Sequence, residues 1–389
     1  MKKIIFFLLI LVIQHSFAQY VKLSDNAQIS VITVDPGANL VDSFGHSAFR
    51  IKDEVLGIDQ AYNYGTYDFN RPNFYLNFAR GKLLYDLSSY PFYYFLKSYV
   101  QENRTVKEQI LNLTQHQKQQ FFEFLQNNVK PETKSYLYDF LYDNCATKLP
   151  QVSEKILNDK IQFNYDFIEG KSATFRDQIH KYLGKQPWGK FGIDLALGSV
   201  IDKKMKPQEY EFLPDYVFEA YQYASIKNST TVKPLVSKTN ILFTSQPLKK
   251  ESFYVTPLLV FTLLALLVIF ISYKDYTKKQ RSKWLDFLMF FVTGLLGVFV
   301  LLLWFATDHS ATAKNFNTLW AFAPNFLIAF LLCKPLKKWL KKYLILLLLL
   351  ILLTVFLWIT KTQVFNLAVL PILIMLTVRY LYLLRTTNI

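Results

Sequence analysis

The stretch Val255–Tyr273, VTPLLVFTLLALLVIFISY, carries no charged residue and decides the architecture of this chain. It is long enough to cross the hydrocarbon core of a bilayer as a helix. Four further apolar runs follow it: Phe287–Ala306, Leu319–Cys333, Tyr343–Thr360 and Gln363–Leu384. We therefore expect residues 255–389 to form an all-α transmembrane bundle of about five helices, the third of which is short and contains Pro324.

The charge of the chain follows the same division. Its 389 residues include 44 Lys and Arg against 29 Asp and Glu, a formal net charge of +15. Fourteen of the basic residues lie in the apolar third, and twelve of these are at Lys274–Lys283, at Lys334–Lys342 and near the C-terminus. The intervening loops hold only Lys314 and Lys361. This asymmetry predicts a multi-pass protein with a cytoplasmic C-terminus and argues against a nucleic-acid surface.

The N-terminus has the pattern of a secretory signal peptide over residues 1–18. Lys2 and Lys3 precede the apolar run Ile4–Ile13, and Ser16-Phe17-Ala18 has the small residues of a cleavage site. An uncleaved anchor is the alternative, although the run is short for a bilayer. The segment that follows is thus expected outside the cytoplasm, attached to the inner membrane.

Residues 19–224 are mixed in polarity and predict an exported α+β domain, and the polar residues 225–254 predict a linker. Alternating apolar positions predict strands at Gln28–Val34, Phe44–Ile51, Ile58–Tyr64, Lys82–Leu87 and Thr105–Leu113. Helical spacing predicts helices at Asn73–Ala79, Tyr93–Val100 and Thr114–Val129, the last with Thr114 as N-cap.

The two cysteines cannot form a disulfide bond with each other. Cys145 lies in the exported domain, whereas Cys333 lies at the cytoplasmic end of the third apolar run. A lone exported thiol is either buried and inert or present for its reactivity. Asp143 or Asn144 can cap a helix with Cys145 in its first turn, where the helix dipole favours a thiolate. Pro150 suggests that this turn is short.

A thiol nucleophile needs a base, and His46 is the best candidate. It lies on an alternating strand beside Gly45, which leaves room for close approach of another segment. His116 and His180 lie in polar helical stretches and are expected at the surface. We predict that His46 activates Cys145, with a satisfied core histidine as the alternative.

With Gly45-His46-Ser47 on a strand and Asn144-Cys145-Ala146-Thr147 at a helix start, the chain resembles the Lnb-type lipoprotein N-acyltransferase family. Further segments resemble the family in the same order: Asn63–Phe69, Asn73–Tyr75, Phe78–Gly81, and His309, Asn315, Asn317, Pro324 and Asn325 in the membrane region. The resemblance implies a circularly permuted papain-like (NlpC-like) α+β domain, in which the catalytic His precedes the Cys.

The resemblance also implies an activity that needs no cofactor. His46 would deprotonate Cys145, which would take an acyl chain from a membrane phospholipid as a thioester. The α-amine of the diacylglyceryl-cysteine of a lipoprotein would then accept that chain.

Other residues are candidates for supporting roles. Asp59 or Asn63 on the following strand could orient His46, or either could only satisfy turn hydrogen bonds. Asn144 could donate to an oxyanion, although capping is an equally good role. His309, Asn315, Asn317 and Asn325 could bind a lipid head group or the lipoprotein N-terminus, or could close the helix bundle.

Two other classes of protein stay open. One is a membrane-anchored cysteine peptidase or cell-wall amidase that uses His46 and Cys145. The other is a non-enzymatic sensor with a degenerate papain-like domain. The few His and Cys are too scattered to predict a metal site, and no glycine-rich nucleotide loop is present.

Overall fold

The computed structural model describes residues 21–228, 231–247 and 255–386. The expected signal peptide, residues 1–18, lies outside the described residues. An N-terminal α/β domain with a central sheet is followed by a helical region with four long apolar helices.

The N-terminal domain is built on an antiparallel seven-stranded sheet in the order β10-β5-β1-β2-β3-β4-β6. Strands β7, β8 and β9 form a second, smaller sheet. The strands are β1 Gln28–Val34, β2 His46–Asp53, β3 Ile58–Thr66, β4 Leu84–Pro91, β5 Val106–Leu111, β6 Ser135–Leu137, β7 Ile161–Gln162, β8 Ser225–Asn228, β9 Thr231–Pro234 and β10 Val236–Phe243. The five predicted strands are confirmed as β1 to β5, with ends that shift by up to four residues.

Helices cover both faces of the large sheet. The helices of this domain are α1 Phe74–Ala79, α2 Phe92–Gln101, α3 Gln115–Asn128, α4 Lys148–Leu157, α5 Phe175–Tyr182, α6 Pro187–Ala196 and α7 Pro214–Tyr223. Because side chains alternate along a strand, Val31 packs in the core under α3, α4 and α7, whereas Ile32 packs under α2. The Thr114 N-cap prediction is confirmed, with a capping box that also uses Gln117.

The predicted linker is wrong for its first part. Strands β8, β9 and β10 lie within it, and β10 pairs with β5 at the edge of the large sheet. The stretch is poor in apolar residues because an edge strand needs to bury little: along β10, only Val236 is buried. The N-terminal domain therefore extends to Phe243 at least.

The helical region differs from the prediction at the third span. Four helices have the length and composition to cross a membrane: α8 Pro257–Lys278, α9 Lys283–Phe305, α12 Leu340–Ile359 and α13 Val369–Thr386. Between α9 and α12, the third predicted span is a pair of short helices, α10 Asn317–Trp320 and α11 Asn325–Leu332, and not one continuous helix. The break falls just before Pro324, as expected for a residue that restricts its predecessor and has no backbone N–H.

The broken segment is held by close packing against α9. A Cβ atom placed on Gly294 would come within 2.0 Å of the Phe326 backbone nitrogen, so only glycine permits this approach. Asn325 is buried beside it and hydrogen-bonds Thr293 at 3.2 Å. The break between α10 and α11 is therefore stabilised by specific contacts with α9.

Candidate active site

Cys145 lies in a short turn that leads into α4. The Asn144 Oδ1 atom accepts hydrogen bonds from the backbone N–H groups of Ala146 (2.7 Å) and Thr147 (3.0 Å). The Lys148 N–H donates to the Asn144 carbonyl at 3.1 Å, so the helical hydrogen-bond pattern already begins at Asn144. Asn144 thus caps the turn, and Cys145 is its first residue, as the sequence predicted.

Capping uses the whole side chain of Asn144. Its Nδ2 atom donates to the carbonyls of Phe140 (2.7 Å) and Phe212 (2.9 Å). Both amide hydrogens and both acceptor positions are therefore engaged. The expectation that this side chain donates to an oxyanion is wrong, because it has no hydrogen left to donate.

His46 is the first residue of β2, and it pairs with Val34 at the end of β1. Gly45 has φ +81°, and a Cβ there would meet the Val34 carbonyl at 2.8 Å, so the position demands glycine. The imidazole stacks on Tyr99, with ring centroids 6.0 Å apart. The ring and the Cys145 thiol line the same cleft, close enough for each group to shift the pKa of the other.

Asn63, and not Asp59, lies against His46. The Asn63 Oδ1 atom is 2.6 Å from the His46 Nε2 atom, and the Asn63 Nδ2 atom donates to the Tyr90 hydroxyl at 2.9 Å. This pair of bonds leaves Nδ1 of His46 for the thiol. The Asp59 carboxylate instead forms a bidentate salt bridge with Arg50, with N–O distances of 2.7 and 2.8 Å.

The electrostatics of the Cys145–His46 pair favour a thiolate beside an imidazolium. Burial disfavours the charged form of each group, but the opposite charge and hydrogen bond of the partner outweigh burial. The pKa of the Cys145 thiol is therefore lowered, and the pKa of His46 is raised. The backbone N–H groups of Ser47 and Ala146 lie near the sulfur and also lower the pKa of the thiol.

The pair lies in a cleft of about 470 Å³. One wall is Gly65, whose φ of +87° favours glycine. A Cβ at this position would lie 3.4 Å from the Cys145 Cβ. The opposite rim contains Arg104, whose guanidinium lies over the Tyr99 ring. Aromatic residues line the remainder, among them Phe44, Tyr85, Tyr138 and Phe140.

The four residues expected to bind substrate are not brought together. Asn315 donates to the carbonyls of Leu195 (2.8 Å) and Ala196 (3.0 Å), and Asn317 donates to that of Asp194 (3.0 Å). Both asparagines, like Asn325, are fully buried. The prediction of a binding role is wrong for these three, because their amides are consumed in joining elements of the protein.

His309 lies apart from the asparagines and outside the catalytic cleft. Its Nε2 atom is 3.1 Å from the Phe78 carbonyl, and it lines an apolar cavity beside the cleft. The other two histidines among the described residues differ in their exposure to solvent. His116 is exposed as predicted, whereas His180 is partly buried and hydrogen-bonds Asp194 at 2.7 Å.

Sequence reasoning missed the aromatic supports of the site. Tyr90 orients Asn63, and Tyr99 stacks on His46. Both come from the segment Tyr90–Tyr99, which reads as an ordinary aromatic-rich strand end and helix. Only their distance from His46 in the folded chain reveals the role.

Fold and site together define a class: a membrane protein whose extramembrane α/β domain carries a Cys–His pair with an asparagine on the histidine. Comparison with protein families gives two matches. Residues 16–178 match the Lnb N-terminal periplasmic domain, and residues 249–388 match the Lnb transmembrane domain. These matches follow the chain in order and cover most of it, and the chain belongs to the Lnb-type lipoprotein N-acyltransferase family.

The N-terminal domain is accordingly periplasmic, and the helical region is transmembrane. Searches of curated proteins and of solved structures returned no significant match. The permuted papain-like arrangement therefore stays a prediction.

Proposed function

We propose that this protein is a lipoprotein N-acyltransferase with Cys145 as its nucleophile. It moves an acyl chain from a phospholipid to the α-amine of a diacylglyceryl-cysteine. The observation that carries the proposal is the contact of Cys145 with a histidine that Asn63 orients, a contact that lowers the pKa of the thiol. Membership of the Lnb family supports the class of substrate.

In the first half-reaction, the Cys145 thiolate attacks an ester carbonyl of the phospholipid. The tetrahedral intermediate collapses as the carbon–oxygen bond of the ester breaks. His46 gives its proton to the departing glycerol oxygen, so that a lysophospholipid leaves and a thioester remains on Cys145.

In the second half-reaction, the α-amine of the lipoprotein cysteine attacks the thioester carbonyl. Neutral His46 accepts a proton from the amine, and the carbon–sulfur bond breaks. The products are an amide on the lipoprotein and a thiolate beside an imidazolium, which is the starting state.

The loop charges support a location for this chemistry. Twelve basic residues flank one set of helix ends and two flank the other, which favours the inner membrane with a cytoplasmic C-terminus. Cys145 would then face the periplasmic leaflet, where both the phospholipid and the lipoprotein are present.

Contacts between the domain and the helices weigh against an anchored peptidase or amidase. Asn315 from the membrane region donates to Leu195 and Ala196 of the periplasmic domain, and Asn366 donates to Asp194 at 2.8 Å. A soluble hydrolase on a simple anchor has no need of such a fitted interface.

A trapping experiment tests the proposal. Membranes that contain the full chain receive a phospholipid with a tagged acyl chain, and the tag is located by mass spectrometry before and after hydroxylamine. We expect a hydroxylamine-labile tag on Cys145 that is absent from Cys145→Ser and strongly reduced in His46→Ala.

Two matched variants serve as controls. Cys333→Ser removes the other thiol, and His116→Ala removes an exposed histidine of the same domain. Both should retain the label. A folded wild-type protein that gains no tag would contradict acyl transfer and would favour the hydrolase or sensor alternatives.

A further inference from the structure

An apolar cavity of about 460 Å³ lies between the periplasmic domain and the C-terminal end of α9. The domain contributes residues of α1 and α6, including Phe78, Ile193 and Ala196. The membrane region contributes Leu303, in the last turn of α9, and the loop that follows it. The cavity therefore lies where a spanning helix leaves the bilayer.

This cavity adjoins the catalytic cleft. Five side chains line both spaces: Val41, Phe44, Tyr85, Tyr138 and Phe140. A surface of mainly apolar side chains thus extends from the end of α9 to the cleft that contains Cys145. Among these shared residues, Tyr85 and Tyr138 are stacked, with ring centroids 4.2 Å apart.

The charged groups and the histidine in the lining already have partners. Asp139 accepts a hydrogen bond from Ser310, Asp308 pairs with Lys82 at 3.5 Å, and the His309 ring contacts the Phe78 carbonyl. Because these groups are engaged with one another, the space offers its occupant mainly aliphatic and aromatic surface.

The walls are also held in place from both sides. The Asp308 N–H donates to the Arg80 carbonyl at 2.8 Å, and the Gly198 N–H donates to the Ala311 carbonyl at 2.9 Å. These bonds tie the loop after α9 to two separate parts of the periplasmic domain. The cavity is thus a preformed space and needs no rearrangement to open.

We propose that this cavity binds the hydrocarbon chain of the acyl donor and keeps it there while the acyl group is on Cys145. The inference rests on the proposed function and adds to it a binding site and a basis for chain-length selection. A chain in the cavity places its carbonyl at Cys145 and remains shielded from water until the amine arrives.

A cavity-filling variant tests the proposal in the full chain. Ala196→Trp fills part of the cavity, and Gly192→Trp on the same helix is its control, since Gly192 is exposed, does not line the cavity, and a Cβ there meets no atom within 4 Å. Tagged phospholipids with palmitoyl or hexanoyl chains are compared as donors. We expect Ala196→Trp to lower the palmitoyl-to-hexanoyl ratio of Cys145 labelling about tenfold, as for two methylene groups left unburied, and Gly192→Trp to leave it unchanged.

A second measurement avoids any substitution. Wild-type protein is labelled with a donor whose acyl chain ends in a photoreactive diazirine, and the crosslinked peptides are mapped. Crosslinks to α6 and to the end of α9 are expected. Crosslinks confined to the outer faces of the spanning helices would overturn the proposal even if Ala196→Trp failed to fold.

The outcomes separate the two proposals. Wild-type protein that is labelled by neither donor overturns the proposed function, and the cavity assignment falls with it. Wild-type labelling with the same donor ratio in folded Ala196→Trp overturns the cavity assignment alone.

Discussion

Asn63 determines which nitrogen of His46 faces the thiol. Its amide is held by the Tyr90 hydroxyl, and its oxygen meets Nε2 of the imidazole, so Nδ1 is directed to Cys145. Asp59, four residues earlier on β3, is neutralised by Arg50 instead. Four residues along a strand span roughly 13 Å, and only one of the two candidates can therefore reach the histidine.

We predict that Asn63→Ala lowers the rate of Cys145 acylation about a hundredfold, because the imidazole loses its fixed orientation. The rate of thioester formation in membranes measures the effect. Asp59→Ala on the same strand is the control and should retain most of the rate. An equal loss in both variants would contradict the assignment of Asn63.

The Cys145–His46 pair also predicts a pH dependence. The opposite charge of its partner lowers the pKa of the thiol and raises that of the imidazole, so the two shifts widen the pH range in which the charged pair is populated. Acylation should fall at low pH, as the thiolate gains a proton, and at high pH, as the imidazolium loses one.

Alkylation of Cys145 by iodoacetamide reports the thiolate directly. In wild-type protein, its midpoint should lie below the ordinary pKa of cysteine. In His46→Ala, only burial and the backbone N–H bonds remain, so the midpoint should move to higher pH. The same midpoint in both proteins would mean that His46 does not stabilise the thiolate.

At the scale of elements, short stretches of irregular chain position the chemistry. The turn at Cys145 depends on the cap that Asn144 provides, and Pro150 is tolerated because it lies in the first turn of α4, where a backbone N–H is not needed. Strand β10 and the broken α10–α11 segment are likewise positioned by contacts with another element. Strand β10 pairs with β5, which is remote in the chain, and the α10–α11 segment packs against α9.

We predict that Asn144→Ala lowers the free energy of unfolding by roughly 2 kcal/mol, because it removes a cap and leaves buried carbonyls unpaired. Asn144→Ser keeps an acceptor for the N–H groups and should restore part of the loss. Thermal unfolding of the full chain in detergent measures both, with exposed Asn70→Ala as control. Normal stability with reduced turnover in Asn144→Ala would instead restore an oxyanion role.

At the scale of the whole molecule, buried polar groups join the periplasmic domain to the membrane region. Asp194 in α6 accepts hydrogen bonds from Arg176 (2.9 Å), from His180 (2.7 Å) and, across the interface, from Asn366 (2.8 Å). Burial alone would raise the pKa of Asp194, but these partners outweigh it and lower the pKa. The interface therefore fixes the domain, and with it Cys145, relative to the spanning helices.

We predict that Asn315→Ala destabilises the full chain by about 2 kcal/mol, because it removes the side-chain donor to the Ala196 carbonyl and leaves the Leu195 carbonyl only the longer bond from Asn317. The KM for the phospholipid should not change. Thermal unfolding and donor titration separate the two effects, and exposed Thr362→Ala is the control. A raised KM at normal stability would return Asn315 to substrate binding.

Features that depend on local pattern can be predicted without the fold. Apolar length predicts membrane helices, loop charge predicts their orientation, and alternation predicts β1 to β5. The pairing of a lone exported thiol with His46 also followed from the sequence, because both residues lie in distinctive short motifs and the other histidines lie in polar stretches.

Features that depend on partners remote in the chain could be assigned only from the folded structure. It selected Asn63 over Asp59, assigned Asn144 to capping, and turned Asn315 and Asn317 from binding candidates into interface residues. It also placed an edge strand, β10, within the expected linker. The physical reason is common to all four: a polar side chain or strand can satisfy its hydrogen bonds in several ways, and the partner that folding brings within reach determines which one is used.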